Sequence, residues 1–158
     1  MHDKSPSTHI KEPVLVSACL LGIACRYDGK SEYSIELTKN MHILPIPVCP
    51  EQLGGLSTPR PPSDLIGGDG RDVLKGKARL INSAGEDVTE NFIKGGQQTC
   101  ILAKTLNTKR AILKEDSPSC GSHMVKISGK WIKGVGVAAA MLSDMGIKVV
   151  NEDGIEAL

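Results

Sequence analysis

Four cysteines stand in loops where a thiol can do chemistry. Cys19 and Cys25 follow the apolar run "PVLVSA". Cys49 follows "ILPIPV", and Cys120 is at the centre of "SPSCGSH", behind "RAILKE". These loops are polar and carry Gly or Pro, so burial as a small hydrophobe is not the expectation there. Cys100 differs. It shares a helical face with Phe92, Gly96, Ala103 and Leu106 and reads as core. Clustered thiols in a reducing compartment point to a metal. Structural zinc typically pairs its ligands as C-x₂₋₄-C, but five residues separate Cys19 from Cys25. Single thiols drawn from separate loops suit an iron–sulfur cluster, since soft thiolates select it. Three such ligands leave one iron open to a substrate. Two other uses stay open at this point. One is a closed four-thiolate zinc or iron–sulfur module, with Cys25 as the fourth ligand and no chemistry of its own. The other is a metal-free thiol enzyme or redox sensor built on Cys120.

The elements that must position these thiols alternate along the chain. Pro13 to Ala18 reads as a first strand, and "HILPIPVC" as a second. Pro45 and Pro47 push the second towards a sheet edge. "RAILKE" reads as a third strand and "IKVV" as a last one. Helices are expected from Ser34, a capping residue, to Met41, from Asp87 or Thr89 through "TENFIKGGQQTCILAKTLN", and over "GVGVAAAMLSDMG" up to Gly146. Gly95 and Gly96 weaken the second of these. "PEQLGGLSTPRPPSDLIGGDG" reads as a long irregular loop of the kind that carries function, and "DVLKGKARLINSAGED" as a small hairpin. Alternating strands and helices predict a parallel or mostly parallel sheet with helices on its faces. Ligands bind beyond the carboxyl ends of such strands. Cys19, Cys49 and Cys120 each lie just past a predicted strand and share one rim if those strands run parallel.

Several long stretches resemble one known family. "VSACLLGIACRYDGK", "PVCPEQLGGLSTPRPP", "GEDVTENFIKG", "LKEDSPSCGS" and "GKWIKGVGVAAAMLSDMGIKVVNE" are similar, in this order, to the thiouracil desulfurase family. The resemblance runs from about Pro13 to Glu152. It implies a single Rossmann-like α/β domain, with a mostly parallel sheet and helices on both faces. It also implies a 4Fe–4S cluster held by only three cysteines, and non-redox removal of sulfur from a thiolated uracil, with the sulfur taken up at the open iron. Carried over by motif, the cluster ligands are Cys19, Cys49 and Cys120. Cys25 belongs to the same pattern, as an alternative ligand or a neighbour of the cluster. The catalytic carboxylate is Glu51 and the catalytic serine Ser117, with Ser119 as a nearby competitor in contact with substrate. Spacing alone makes Ser117 a turn residue before Pro118. Glu51 would act as a general base towards water, which requires burial to raise its pKa from about 4.3. Arg26 and Arg60 are expected either to contact the polar ring or the cluster's charge, or to staple their loops. His123 reads as a solvated loop residue and Asp28 as a turn residue. After the last cysteine the family is more aromatic than "SHMVKISGKW" here, in a stretch expected to shape the substrate pocket.

Composition removes other classes of function. The chain has 158 residues, 40% hydrophobic and 23% charged, with 3% aromatic and a formal net charge of +1. A near-neutral chain with few aromatics gives no basis for nucleic-acid or membrane binding. No stretch has the roughly 20 apolar residues of a membrane helix. The polar start "MHDKSPSTHIKE" lacks the apolar run of a secretory signal. Residues 1–12 are therefore expected to be a flexible tail before a domain over 13–158, in the cytoplasm. An odd number of cysteines, five, argues against a disulfide framework. The expected partner is a small thiolated pyrimidine.

Overall fold

The computed structural model describes residues 10–39 and 42–154. Residues 1–9 of the expected tail, the expected helix end at Met41 and residues 155–158 lie outside that range. Among the described residues, eight strands and five α-helices follow one another in an α/β arrangement. Strands β1 (Pro13–Ser17), β2 (Leu44–Val48), β5 (Arg110–Leu113) and β8 (Lys148–Asn151) form one sheet in the order β2-β1-β5-β8. Every pairing in it is parallel. These are the four strands expected from the sequence. β1 is central, and Val14, Leu15 and Val16 are fully buried, as a strand covered on both faces requires. The prolines explain why β2 is at the edge. Leu44 N donates to Glu12 O at 2.9 Å, so alternate residues of β2 direct their N–H groups at β1. Pro45 and Pro47 fall on the other parity, where the missing N–H faces the open edge.

Helices cover both faces of this sheet. On one side Leu15, Ala111 and Leu113 pack against Ala103 of α4 (Thr89–Thr105) and against Ala139 and Leu142 of α5 (Val137–Asp144). On the other, Val14, Val16 and Ile112 pack against Leu37 of the short helix α1 (Ile35–Lys39) and Leu20 of the 3-10 turn Ala18–Leu21. Ser34 does cap α1, with Oγ accepting from Leu37 N at 3.3 Å. Cys100 is half-buried beside the first of these clusters.

A second sheet was not expected. Strands β3 (Ser63–Ile66), β4 (Arg79–Asn82), β6 (Met124–Ile127) and β7 (Lys130–Lys133) form it in the order β4-β3-β6-β7. β3 and β6 are parallel, and the outer pairs antiparallel. Its inner face, with Leu65, Leu80 and Val125, buries against Phe92 of α4 and Val137 of α5. The expected long loop therefore contains α2 (Pro50–Leu53) and β3. The expected hairpin of "DVLKGKARLINSAGED" is corrected as well. Its first residues belong to α3 (Gly70–Leu74), which Asp69 and Asp72 cap reciprocally. β4 pairs with β3, and the segment folds back on itself through the isolated bridge Ile81–Asp87 and a short turn in which Asn82 N donates to Glu86 O at 2.9 Å. β6 and β7 are joined by Ser128 and Gly129, both at positive φ. Two such residues make the tight turn that suits the twist of a hairpin.

Gly95 and Gly96 do not end α4. A Cβ on Gly95 would lie 1.9 Å from the Pro50 carbonyl oxygen, and one on Gly54 would lie 2.0 Å from the Asn91 carbonyl oxygen. α2 is thus pressed onto α4 backbone to backbone, and Asn91 Nδ2 donates to Gly54 O at 3.0 Å. The glycines lower helix propensity but permit the approach that fixes α2. No helix among the described residues is long and apolar enough to cross a membrane.

Candidate active site

The carboxyl ends of β1, β2 and β5 open onto a cavity of about 440 Å³. That volume lies within the range typical of small-molecule sites. Cys19, Cys25, Cys49 and Cys120 all line it, and so do Glu51, Ser117, Arg26 and Arg60. Ser119 is not among the lining residues. It is buried and its hydroxyl has no hydrogen-bond partner.

Each thiol is held by local backbone. Cys19 sits in the 3-10 turn after β1, which Gly22 closes at φ 92°. Its carbonyl accepts from Gly22 N at 3.2 Å and from Glu32 N at 3.0 Å. Cys49 caps α2, with Pro50 as the first helical residue and Glu51 behind it. Cys120 lies in a turn built by Ser117, whose Oγ accepts from Ser119 N at 3.2 Å and Cys120 N at 3.1 Å. Helix α5 steadies the same loop: Val137 N donates to Pro118 O and Ala139 N to Ser119 O. Gly136 is required there, because its Cβ would meet the Ser119 carbonyl carbon at 2.4 Å. Ser117 is therefore a turn residue, as its spacing implied, and it also lines the cavity. With two amides donating to the oxygen, the hydroxyl proton is left for an acceptor such as the Cys120 sulfur.

The thiols crowd one another. Hydrogen bonding with Cys19 pushes the Cys25 thiol up, and burial adds to this while Cys49 opposes it. Cys49 is raised by its hydrogen bond with Cys25 and by burial, and its Sγ lies 3.8 Å from the Cys25 carbonyl. Burial pushes Cys120 up to about 12, although hydrogen bonds from Ser17 and Ser117 favour its thiolate. Such thiols lose their protons when a metal takes the protons' place, since metal and proton compete for sulfur. All five cysteines are free. Among the described residues, no three His, Cys, Asp or Glu side chains are gathered tightly enough for one metal ion.

Glu51 and Arg60 form a buried pair. Their side chains are 17% and 5% exposed, and Arg60 Nε lies 3.2 Å from Glu51 Oε1. Burial pushes the Glu51 carboxyl up, and the guanidinium beside it opposes this. Arg60 is also a staple. Nη1 donates to Ser57 O and Thr58 Oγ1, both at 3.1 Å, and Nη2 to Cys25 O at 2.9 Å. One residue thus ties the Glu51 carboxylate to the Cys25 loop. Arg26 is held by carboxylates too: it bonds Glu32, and its Nε lies 3.3 Å from Asp28 Oδ1. Asp28 is the expected turn residue, accepting from Lys30 N at 3.0 Å. The His123 side chain is 65% exposed and is not a lining residue.

Glu115, which the sequence reading passed over, anchors the Cys120 loop from the end of β5. Its carboxylate accepts from the backbone N–H groups of Ser122, His123 and Met124 at 2.9, 3.0 and 3.1 Å. Asn151 Nδ2 adds a bond of 2.6 Å. Burial would raise this carboxyl, but these donors outweigh it and hold it at about 2. An acidic residue two positions after an apolar strand was the available signal. Lys126 and Trp131 of the second sheet also line the cavity. Both belong to "SHMVKISGKW", the stretch expected to shape the pocket, although neither residue was singled out and the sheet that carries them was not foreseen.

Residues 14–154 match the 2-thiouracil desulfurase family. The chain belongs to this family. It is 46% identical over 144 residues to the uncharacterized protein YbbK of Bacillus subtilis (strain 168), covering 89% of this chain and 95% of that one. The solved structure of the [4Fe-4S]-dependent thiouracil desulfidase TudS superposes with a TM-score of 0.78 at 35% identity. That match covers 94% of this chain and 95% of TudS. The α/β architecture expected from the sequence is thus the fold of TudS.

Proposed function

We propose that this member of the family removes the sulfur of a thiolated uracil as hydrosulfide, with a 4Fe–4S cluster held by Cys19, Cys49 and Cys120. Family membership makes it an enzyme acting on a carbon–sulfur bond. The observation that carries the reading is the meeting of four free thiols with Glu51 and Ser117 on one cavity wall. The donor set fits the group. Thiolates from separate loops suit a cluster, whose irons each take their own ligand, better than a single ion. When bound, such a cluster supplies a Lewis-acidic iron with an open position for a soft thiocarbonyl sulfur.

The chain's own residues then act on water and on the ring. Glu51, raised by burial and held by Arg60, takes a proton from the attacking water. The water oxygen bonds to the ring carbon that carried sulfur, and the carbon–sulfur bond breaks. The balance is thiouracil plus water to uracil, hydrosulfide and one proton, the proton that Glu51 took returning to solvent, with no net electron transfer. Ser117, which lines the cavity beside Cys120, is the hydroxyl that donates to the charge that develops. Cys25, whose carbonyl lies 3.8 Å from Cys49 Sγ, serves as a neighbour of the cluster. The free thiols support a reducing compartment, and we take this to be the cytoplasm.

The test is sulfide release from 2-thiouracil and 4-thiouracil by anaerobically reconstituted protein. Wild type should release sulfide stoichiometrically with uracil. Glu51→Ala should keep the cluster's absorbance and lose on the order of 10²-fold or more in turnover. Protein that carries the cluster and leaves every thiolated pyrimidine intact overturns the reading.

A further inference from the structure

β1 runs through the first sheet between β2 and β5 and ends on a polar residue. Val14, Leu15 and Val16 are fully buried, and Ser17 after them is 3% exposed. A buried hydroxyl is unfavourable unless it is hydrogen-bonded. The neighbouring strand supplies one bond. The β1–β5 register runs to Val16–Ile112, and Ser17 Oγ then accepts from Lys114 N at 2.8 Å. That contact uses a lone pair and leaves the hydroxyl hydrogen free to be donated. Among the described residues, the Lys114 amide is the only nitrogen or oxygen partner of this hydroxyl.

Strand alternation puts a sulfur on the same side. Side chains two residues apart share a face, so Ser17 follows Leu15. Its parallel partner on β2 is Val48. Leu15, Val48 and Leu113 pack in one cluster with Cys120, whereas Val14 and Val16 pack on the opposite face with Cys19 and Cys25. Ser17 and Cys120 also line the same cavity. Burial raises the Cys120 thiol, and hydrogen bonding from Ser17, then from Ser117, opposes this. Two hydroxyls thus serve one cysteine. Ser117 belongs to the turn that carries Cys120, whereas Ser17 comes from another strand and joins that loop to the sheet.

We propose that Ser17 donates its hydroxyl hydrogen to the Cys120 sulfur in the cluster-bound protein and is a positioning residue that tunes the iron held by Cys120. This rests on the desulfurase reading, in which Cys120 is a ligand, and adds a residue that the reading does not use. A hydrogen bond draws electron density from a thiolate sulfur, so the sulfur passes less of it to iron. Hydrogen bonds to the sulfurs are among the factors that set an iron–sulfur potential. The reduced state is the more negative and gains most from a donor, so Ser17 holds the potential up. The same withdrawal keeps the irons acidic towards a soft thiocarbonyl. The Lys114 amide orients the hydroxyl for this, as an outer partner orients a metal ligand.

The test is a dithionite titration of anaerobic holoprotein, followed by electron paramagnetic resonance. Ser17→Ala should keep iron and acid-labile sulfide at wild-type levels. It should lower the one-electron reduction equilibrium by roughly 2- to 12-fold, about 20–65 mV. Its Fe–S(Cys) stretching bands in resonance Raman spectra should move to higher frequency. Ser17→Thr keeps the hydroxyl and should restore both readouts. A purely structural role for Ser17 would change stability and leave the potential of the loaded protein where it was. A wild-type potential in Ser17→Ala therefore overturns the proposal. So does Ser17→Thr behaving like Ser17→Ala, whether both shift or both fail to hold iron, because the hydroxyl is then not the active group. Loss of iron in Ser17→Ala that Ser17→Thr restores supports it. The expected shift in a protein that leaves every thiolated pyrimidine intact would keep the role of Ser17 and sink the desulfurase reading instead.

Discussion

Replacing Arg60 by methionine keeps the volume of the side chain's stem and deletes its charged head. That head donates to Glu51, to two groups of the 57–58 turn and to the Cys25 carbonyl. The variant leaves the Glu51 carboxylate in a site where its side chain is 17% exposed, with no counter-charge. Removing one partner of a buried pair costs roughly 3–5 kcal/mol. Glu51 retains some exposure, so about 3 kcal/mol is the better figure. At about 2–4 °C per kcal/mol for a chain of this size, the melting temperature should fall by roughly 6–12 °C. Glu51→Gln removes the charge from the other side. In the double variant nothing charged is stranded, so it should be more stable than the sum of the single changes by about 1–3 kcal/mol. The assay is thermal unfolding of the four proteins at pH 7, followed by circular dichroism under anaerobic conditions. If the single effects simply add in the double variant, Arg60 and Glu51 do not hold each other, and the account of how the base is placed fails.

Gly95→Ala is expected to destabilise, against the roughly 1 kcal/mol that alanine gains over glycine inside a helix. The new Cβ would meet the Pro50 carbonyl oxygen at 1.9 Å, so α2 must move and turnover should fall with stability; a neutral or stabilised variant in urea titration would refute the close crossing. Glu115 makes stability depend on acid pH. Its native carboxyl sits at about 2 against an ordinary 4.5, so its contribution is complete above 4.5 and is lost as the pH falls to about 2. Urea midpoints should show wild type exceeding Glu115→Gln by roughly 3 kcal/mol at pH 6, with the gap closing towards pH 2; a gap that does not change with pH would contradict this.

The first sheet was legible because its strands are apolar runs bounded by turn residues. The prolines of β2 announced its edge position, and Ser34 announced α1. The second sheet was hidden for a physical reason. β3, β4, β6 and β7 mix polar and apolar residues over four positions each, too few for alternation to stand out, whereas the equally short β5 is marked by the apolar run Ala111–Leu113. Ser128–Gly129 between "MVKI" and "KWIK" was the one local signal for a hairpin, and it was missed. The glycines of α4 misled because propensity is local, whereas their role is the contact with α2. At the site, the parallel-strand argument was enough to bring Cys19, Cys49 and Cys120 to one cavity. It said nothing of Glu115, whose role depends on the backbone donors of residues 122–124. The roles of Glu51 and Ser117 came only with the resemblance, since spacing alone makes Ser117 a turn residue.

The iron and acid-labile sulfide content of anaerobically purified single-cysteine variants tests the central claim most directly. Cys19→Ser, Cys49→Ser and Cys120→Ser should each lose the cluster, while Cys25→Ser keeps as much iron and sulfide as wild type. Full iron in any of the first three, or loss of the cluster in Cys25→Ser, would contradict a cofactor gripped by three thiols with one iron left open.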